Sequence, residues 1–369
     1  MHILMISVRA DHGGGPRHME LLLRALPETV DAFVACPTEP PYGERFHVLT
    51  QGRVFSLPHR RFSLVSAVKL VAYARKQRVD LIHTHGKGAG LYGRIVAALT
   101  RKPCLHTPHG IHVAQYGIFA KWAYRLYENA SARWVDRLVF VSAEEQNSAQ
   151  NEGLWLRTAS SVIVNGVDVV TDESRDLMRH AMRVSHGVND AALIVVTLSR
   201  FDFQKNMQEA YEVAKAFPEA MFWWVGEGGE SDELKLRAKA EGVGNLRFLG
   251  VLDDPTAVLA ASDIYFTTSR WEGLPLAVLE AMSMGLPVVA SDVTGHRELV
   301  GKSGGGELYP LGVASKAVDA LRRLTMDNTL RREMGERGRN VQRKGYSTRQ
   351  MTDSVVSLYR RLARNVGGQ

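Results

Sequence analysis

Short apolar runs separated by helix-length segments recur along the chain. They fall at residues 3–8, 32–36, 81–84, 103–107, 138–142 and 162–164, and again at 193–198, 221–225, 246–248, 264–268 and 287–291. The runs lack polar alternation, so each strand must be covered on both faces. Such strands lie in parallel sheets, where the crossover helices supply the cover. The pattern predicts an α/β chain built as doubly wound parallel sheets. Its recurrence predicts two such domains in tandem, and 369 residues suffice for two cores when single domains run about 100–200 residues. The two halves share no close residue-level repeat. The boundary is placed where Asn-Gly and several acids interrupt the apolar pattern near 165–174, giving a first domain 1–168 and a second 169–347. In the remaining segment, 348–369, Met351, Val355, Leu358, Tyr359 and Leu362 recur at three- and four-residue steps. That is an amphipathic helix, and it needs a surface to cover.

Composition removes several classes of function. The most apolar window, 274–290, is broken by Glu280, Gly285, Pro287 and a serine, so no bilayer-spanning helix is expected. The first eight residues read as a strand without a basic leader, and a cytoplasmic location is expected. Two cysteines, Cys36 and Cys104, at the edges of apolar runs suit small buried hydrophobes better than a disulfide framework or a structural zinc site. The 13 histidines show no His-x-x-x-His pair, and no Asp-x-Asp occurs. No metal and no cofactor is therefore expected. Residues 1–168 carry 20 Lys and Arg against 13 Asp and Glu, whereas 169–369 carry 26 of each. The first half thus holds the whole net charge of +7. Attraction to an anionic membrane surface and ordinary solvated charge both fit that asymmetry.

The most informative stretch for chemistry is 269–280, which hangs Glu272 and Glu280 around the start of a helix that follows a strand-like run. Pro275 suits the first helical position, where a missing N–H costs nothing. Backbone N–H groups at a helix start favour anions, and ionised carboxylates accept hydrogen bonds from hydroxyls. A ligand combining phosphate and sugar fits both. Arg200 and Lys205 follow the run 193–198, at the strand end where open α/β sheets bind ligands. Together they suit a diphosphate and can stabilise negative charge on a departing nucleoside diphosphate. The backbone N–H of Leu274 is available for sugar or phosphate contacts, which Pro275 cannot make.

In the first half, Gly13, Gly14 and Gly15 follow the first strand and permit close approach of a ligand to backbone. A dinucleotide-binding fingerprint fails here. Pro16, Arg17 and His18 stand where a third glycine is required, and the second strand ends at Cys36-Pro37 without an acid for a ribose. His109 ends a strand in Thr-Pro-His-Gly, and His85 ends another. Ser142 followed by Glu145 reads as a helix capping box rather than a nucleophile. Two segments combine apolar and basic residues. One holds Leu64, Val68, Val71 and Ala72 with Lys69, Arg75, Lys76 and Arg78, and the other Tyr116, Phe119, Trp122, Tyr124 and Tyr127 with Lys121 and Arg125. Each reads either as a core-facing stripe or as a face for a membrane or lipid-linked acceptor.

The motif Glu-Gly-Leu-Pro-Leu-x-x-Leu-Glu-Ala-Met at 272–282 resembles the donor signature of the retaining GT-B glycosyltransferases of family 4. Further pieces fall in the family's order: Gly14-Gly15-Pro16-Arg17-His18, 80–85, 107–110, 165–168, 199–206, 225–228, 248–250 and 295–298. The resemblance implies the GT-B fold, two Rossmann-like domains facing a cleft, with the C-terminal helix crossing back onto the first. It implies that Glu280 holds the ribose hydroxyls and that Glu272 and Gly273 face the transferred sugar. It also implies that Phe248 and Leu249 lie beside the base and that His109 meets the donor sugar, with Gly14 and Gly15 on the donor and His85 and Arg17 on the acceptor side. The implied catalytic set is His109, Glu272, Arg200 and Lys205.

The activity expected from the resemblance is retaining, metal-independent transfer from a nucleoside diphosphate sugar, UDP-sugar favoured. The acceptor would be a saccharide or polyprenyl-linked molecule in bacterial surface polysaccharide or lipopolysaccharide synthesis, made at the inner face of the plasma membrane, with no nucleic acid partner. Ser199 in place of the frequent Gly, and Leu274-Pro275 in place of the frequent Phe-Gly, depart from the family pattern near the sugar. A GT-B nucleotide-sugar epimerase is the alternative. A glycoside hydrolase with two carboxylates leaves the phosphate-directed cations idle, and a polyanion-binding protein leaves the whole set without purpose.

Overall fold

A computed structural model describes residues 1–111, 113 and 116–366. The chain forms two compact units. One is Met1–Asn165 with the segment from Thr348, and the other is Gly166–Ser347.

The first unit holds seven strands: β1 (His2–Ser7), β2 (Asp31–Cys36), β3 (Val54–Ser56), β4 (Leu81–His85), β5 (Cys104–Thr107), β6 (Arg137–Phe140) and β7 (Ser160–Val162). They lie in the order β3-β2-β1-β4-β5-β6-β7. Every pairing is parallel; Ile3, for example, lies between Ala32 and Leu81. Ile3, Leu4, Met5 and Ile6 are all fully buried, as the unbroken apolar runs require. Sheet order reverses between β1 and β4, so their carboxyl ends open a crevice between loops that run to opposite sides. The helix Lys87–Thr100 lies close on β4, because a Cβ at Gly93 would fall 2.1 Å from Thr84 Cγ2. The helix Thr348–Val366 belongs to this unit and buries Met351, Val355, Leu358 and Tyr359, packing against the helix Gly14–Ala25 and β4. Both cysteines are buried and free.

The second unit holds β8 (Ile194–Leu198), β9 (Met221–Val225), β10 (Leu246–Gly250), β11 (Ile264–Thr267), β12 (Val288–Ser291) and β13 (Gly306–Tyr309), in the order β10-β9-β8-β11-β12-β13. All pairings are again parallel. Phe201, Tyr211, Phe222, Trp224, Phe266 and Leu321 form the core on one face. Here the order reverses between β8 and β11.

Several local expectations need correction. The unit boundary falls at Asn165 and Gly166, three residues before the expected break. The helix after β11 is Leu276–Ser283, so Pro275 precedes it rather than opening it. The edge strands β3 and β13 escape the apolar-run criterion because they are short and carry polar or glycine residues. In the helix Leu64–Lys76 the core stripe is Ala67, Leu70, Val71 and Ala74, while Leu64, Val68 and Ala72 face solvent.

Gly93→Ala should be destabilising although alanine favours a helix by about 0.5–1 kcal/mol, because the added methyl overlaps a fully buried Thr84. Overpacking of that kind costs about 1–3 kcal/mol. A urea melt should show a lower midpoint, and an unchanged or raised midpoint would contradict the close helix-strand contact.

Candidate active site

In the second unit the loops following β8 and β11 leave neighbouring strands and are stitched together. Thr268 Oγ1 donates to the carbonyls of Lys205 and Asn206, at 2.8 and 3.0 Å. The Arg270 backbone N–H donates to Gln204 O at 2.8 Å, and its guanidinium reaches Phe203 O and Asn206 Oδ1. Gln204 Nε2 in turn donates to Trp271 O at 3.1 Å. Each contact satisfies loop polar groups that would otherwise need water. The outcome is one ledge carrying Arg200, Lys205 and Glu272.

Lys205 Nζ lies 2.6 Å from Glu272 Oε1, with only 9% of the Glu272 side chain exposed. Burial pushes the Glu272 carboxyl upward, but the Lys205 charge and hydrogen bonds from Lys205 and Ser269 outweigh it and hold it below its ordinary value. The acid is therefore ionised at neutral pH. Expectation had assigned the cation to phosphate and the acid to sugar; the structure joins them in one ion pair. Arg200 stands at the start of the loop, held by Asp202 at 3.1 Å and Gln204 at 3.2 Å. Glu280 is half-buried in the helix Leu276–Ser283. The phenol of Tyr265, raised first by burial, is raised further by the charges of both Glu272 and Glu280.

The segment Glu272-Gly273 lies against the turn that follows β12. A Cβ at Gly295 would meet Gly273 O at 2.5 Å and Glu272 Cβ at 3.0 Å, so glycine there permits the approach. His296, part of a quoted motif but given no role from sequence, donates from Nδ1 to Ser291 O at 2.8 Å. Its Nε2 is buried without a partner, and burial holds the ring below its ordinary pKa against the pull of Glu272. Leu274 and Pro275 are buried, with Gly273 half-buried beside them. Phe248 turns its ring into the core against Trp224 and Phe201, with centroids 5.3 and 6.2 Å away. Phe248 and Leu249 are both half-buried. A cavity of about 540 Å³ in this unit lies far from these residues, lined by Leu193, Asp263 and Pro287 just before β8, β11 and β12. It opens at the amino ends of the strands, the wrong end for a ligand of an open α/β sheet.

In the first unit, the carboxyl ends of β1, β4 and β5 gather histidines. Gly14 and Gly15 open the helix Gly14–Ala25, and a Cβ on Gly15 would lie 3.6 Å from the His109 ring. His109 has a left-handed backbone, φ 57°, followed by Gly110 at φ 110°. The Gly110 N–H donates to Glu145, whose other oxygen takes the Val141 N–H at 2.8 Å. Ser142 Oγ caps the Glu145 N–H at 3.0 Å, so half of the expected capping box forms. The Glu145 carboxylate takes the N–H of Val141 rather than that of Ser142, and its other oxygen steadies the His109 loop. His85 Nδ1 lies 3.2 Å from His109 Nε2. His18 Nδ1 is 2.9 Å from Asn165 Oδ1. Arg17 pairs with Glu20 at 2.7 Å. Glu145, His18 and Asn165 were not singled out as site residues; their roles arise from contacts across 35 and 147 residues.

Burial lowers His18 to about 4, against the help of Asn165, and lowers His106 to about 3 with Arg94 adding to the effect. His83, His85 and His109 lie well below their ordinary value through burial first and their mutual proximity second. Burial raises Glu145 to about 7 against two backbone donors. An unfolded histidine titrates near 6.5, so between that value and the folded ones the unfolded chain binds more protons, and stability falls as pH falls. Glu145 acts in the opposite sense, but five histidines outweigh one acid. His18 alone accounts for about 2 kcal/mol between pH 6.5 and 5, at roughly 1.4 kcal/mol per unit. Urea midpoints should drop from about pH 7.5 to about pH 5, with a shallower drop in His106→Gln. A midpoint independent of pH over that range would contradict a neutral histidine cluster.

Comparison with known proteins agrees with this geometry. Residues 12–170 match the model of Glycosyltransferase Family 4, and residues 178–341 match that of Glycosyl transferases group 1. The chain is 31% identical over 330 residues to the UDP-Gal:alpha-D-GlcNAc-diphosphoundecaprenol alpha-1,3-galactosyltransferase of Escherichia coli, covering 85% of this chain and 83% of that protein. It is 30% identical over 168 residues to the lipopolysaccharide core biosynthesis glycosyltransferase LpsE of Rhizobium meliloti, covering 45% and 49%. The crystal structure of Anabaena HepE in complex with UDP-glucose shares the fold, with a TM-score of 0.82 at 19% identity over 97% of this chain and 99% of that one. With its two parallel-sheet units and stitched ledge at the β8 and β11 ends, the chain belongs to glycosyltransferase family 4 and has the GT-B fold.

Proposed function

We propose that this glycosyltransferase takes its sugar from a uridine diphosphate sugar, and passes it to a saccharide or polyprenyl-linked acceptor during bacterial surface polysaccharide synthesis. The observation that carries the reading is the partly buried Lys205 and Glu272 pair on the ledge of the second unit. A lysine held in place by an ionised acid keeps its ammonium fixed, so little reorganisation is needed when charge grows on a leaving diphosphate. Arg200 adds a planar fork at the start of the same loop, suited to phosphate oxygens. Glu280 takes the ribose hydroxyls and Glu272 faces the sugar, roles carried over from the family motif. Two fixed cations on the diphosphate support transfer without a metal, and the family resemblance supports retention of configuration. In the first unit the Glu145 carboxylate holds the His109 loop through the Gly110 N–H, and the role of His109 toward the donor sugar is carried over from the family motif. The uridine base and the lipid-linked acceptor are supported by the Escherichia coli relative, named for UDP-Gal and a diphosphoundecaprenol substrate, and by the HepE complex with UDP-glucose. The epimerase alternative has no observation in its favour.

The reading includes attachment to a membrane surface. Among the described residues no helix is long and apolar enough to cross a bilayer. The helix Ile118–Ser131, however, exposes Ile118, Phe119, Trp122 and Leu126, at 86, 88, 65 and 56%. Around the helix Leu64–Lys76, Phe62, Leu64, Val65 and Val68 are exposed as well, on the half of the chain that carries the basic excess. Lys121 and Arg125 are engaged by Glu152, so the charge attraction falls to Arg61, Lys69, Lys76 and their neighbours. Aromatic and aliphatic groups at the interface with basic residues around them suit an anionic leaflet.

With a UDP-sugar and a lipid-linked acceptor, Lys205→Ala should lower kcat about 10²–10³-fold, and Glu280→Ala should raise the donor KM, both with a native circular dichroism spectrum. The product should keep the donor's anomeric configuration by NMR. Near-normal transfer by both variants would reject the assignment. In sedimentation with vesicles rich in phosphatidylglycerol the protein should pellet at low salt, and Phe119→Ser with Trp122→Ser should release it. No co-sedimentation of the unmutated protein would remove the docking face.

A further inference from the structure

We propose that His18, His85 and His109 form a binding site for a borderline divalent metal ion of the zinc class. The helix Gly14–Ala25 supplies His18, β4 ends on His85, and His109 follows β5. One ring nitrogen from each lies within 4.8 Å of the others. Two imidazole nitrogens bound at about 2.0–2.1 Å to a tetrahedral ion stand about 3.3 Å apart. His85 Nδ1 and His109 Nε2 are already 3.2 Å apart.

The hydrogen bonds of the neighbouring groups decide which nitrogens are available. Asn165 Oδ1 sits on His18 Nδ1 and takes its proton, leaving the lone pair on His18 Nε2, which is buried with no partner. An outer hydrogen bond of this kind fixes the tautomer of metal-bound histidines. His85 turns Nδ1 toward His109 Nε2, so in the ligating tautomer its proton sits on Nε2, which is buried and lies outside the set. Both nitrogens of His83 are taken, by Tyr359 and Thr107, and His106 Nδ1 is taken by Thr84, so the nearby histidines stay outside the set. A buried lone pair left without a partner is costly, and an ion meeting His18 Nε2 would relieve that cost. The donors are three imidazoles with no carboxylate among them. Nitrogen-only sites favour zinc, cobalt(II), nickel or copper over magnesium and calcium, which demand oxygen. Three protein ligands leave a fourth position for water.

Occupation would engage His109, so the same ions would inhibit transfer reversibly. The inhibition rests on the role proposed for His109 above; the binding does not. The test uses full-length protein stripped with a chelator and titrated with cobalt(II), then with zinc by calorimetry, in the absence of any sugar donor. One equivalent of cobalt should give the intense visible bands of a tetrahedral ion, displaced by zinc. His18→Gln and His85→Gln should each weaken zinc at least tenfold, Asn165→Ala should do so by about 10-fold, and His47→Gln, at an exposed site, should not. Where the buried variants unfold by circular dichroism, the unmutated protein decides: absence of tetrahedral bands overturns the proposal. Zinc uptake retained in folded His18→Gln and His85→Gln overturns it equally. If chelated and zinc-loaded enzyme transfer sugar at the same rate while cobalt bands are present, the site stands and the role of His109 in transfer falls.

Discussion

The ion pair between Lys205 and Glu272 is the constraint on which the second unit's site depends. Two parallel strands, β8 and β11, deliver their loops to one sheet end, and each loop carries one member of the pair. A largely buried pair of this kind costs desolvation on both sides, so its retention is a weak argument for stability and a stronger one for position. Removing either partner would strand a buried charge. The surrounding hydrogen bonds of Thr268, Arg270 and Gln204 fix the backbone so that the pair forms in one geometry. Gly295 then admits the Glu272-Gly273 segment with no side chain between. Chemistry that relies on fixed cations needs that kind of scaffold, since the benefit of preorganisation is the absence of rearrangement as charge develops.

The first unit solves a different problem with different residues. Its sheet end collects polar rings where burial disfavours charge, and each must find a hydrogen-bond partner or leave a lone pair unmet. His83 is met on both nitrogens, by Thr107 and by Tyr359, which the C-terminal helix brings from 276 residues away. His109 is set in a left-handed backbone that non-glycine residues adopt at a cost, and the Glu145 carboxylate anchors the next peptide. The orphaned nitrogens of His18 and His85 are what remains once the other rings are satisfied.

Much of this was legible in the sequence, for identifiable reasons. Strands buried on both faces leave unbroken apolar runs, so β1, β4, β8, β9, β11 and β12 announced themselves, and position after a strand marked Arg200, Lys205, Glu272 and His109. Edge strands β3 and β13 left no such mark because one side of each is unpaired and their residues are mixed. Periodicity found the apolar content of the helix Leu64–Lys76 but not its orientation, since Ala67, Leu70, Val71 and Ala74 compete with a second stripe at Leu64, Val65 and Val68. Long-range pairing was invisible. Lys205 and Glu272 are 67 residues apart, and the local rule that reads Ser142 and Glu145 as a capping box does not see Gly110, 35 residues back. The Phe248 ring, expected beside the base, is half-buried and packs against Trp224 and Phe201, contacts that no local pattern announces.

The central claim is that the ledge carrying Arg200, Lys205 and Glu272, with Glu280 on the helix that follows, holds a pyrophosphate attached to a ribose. Isothermal calorimetry with uridine, UMP, UDP and GDP on the unmutated protein reads it directly. The account predicts affinity that rises steeply from UMP to UDP, weakens with added salt, and favours UDP over GDP. Equal, salt-insensitive binding of uridine and UDP, or no heat from either diphosphate, would contradict it.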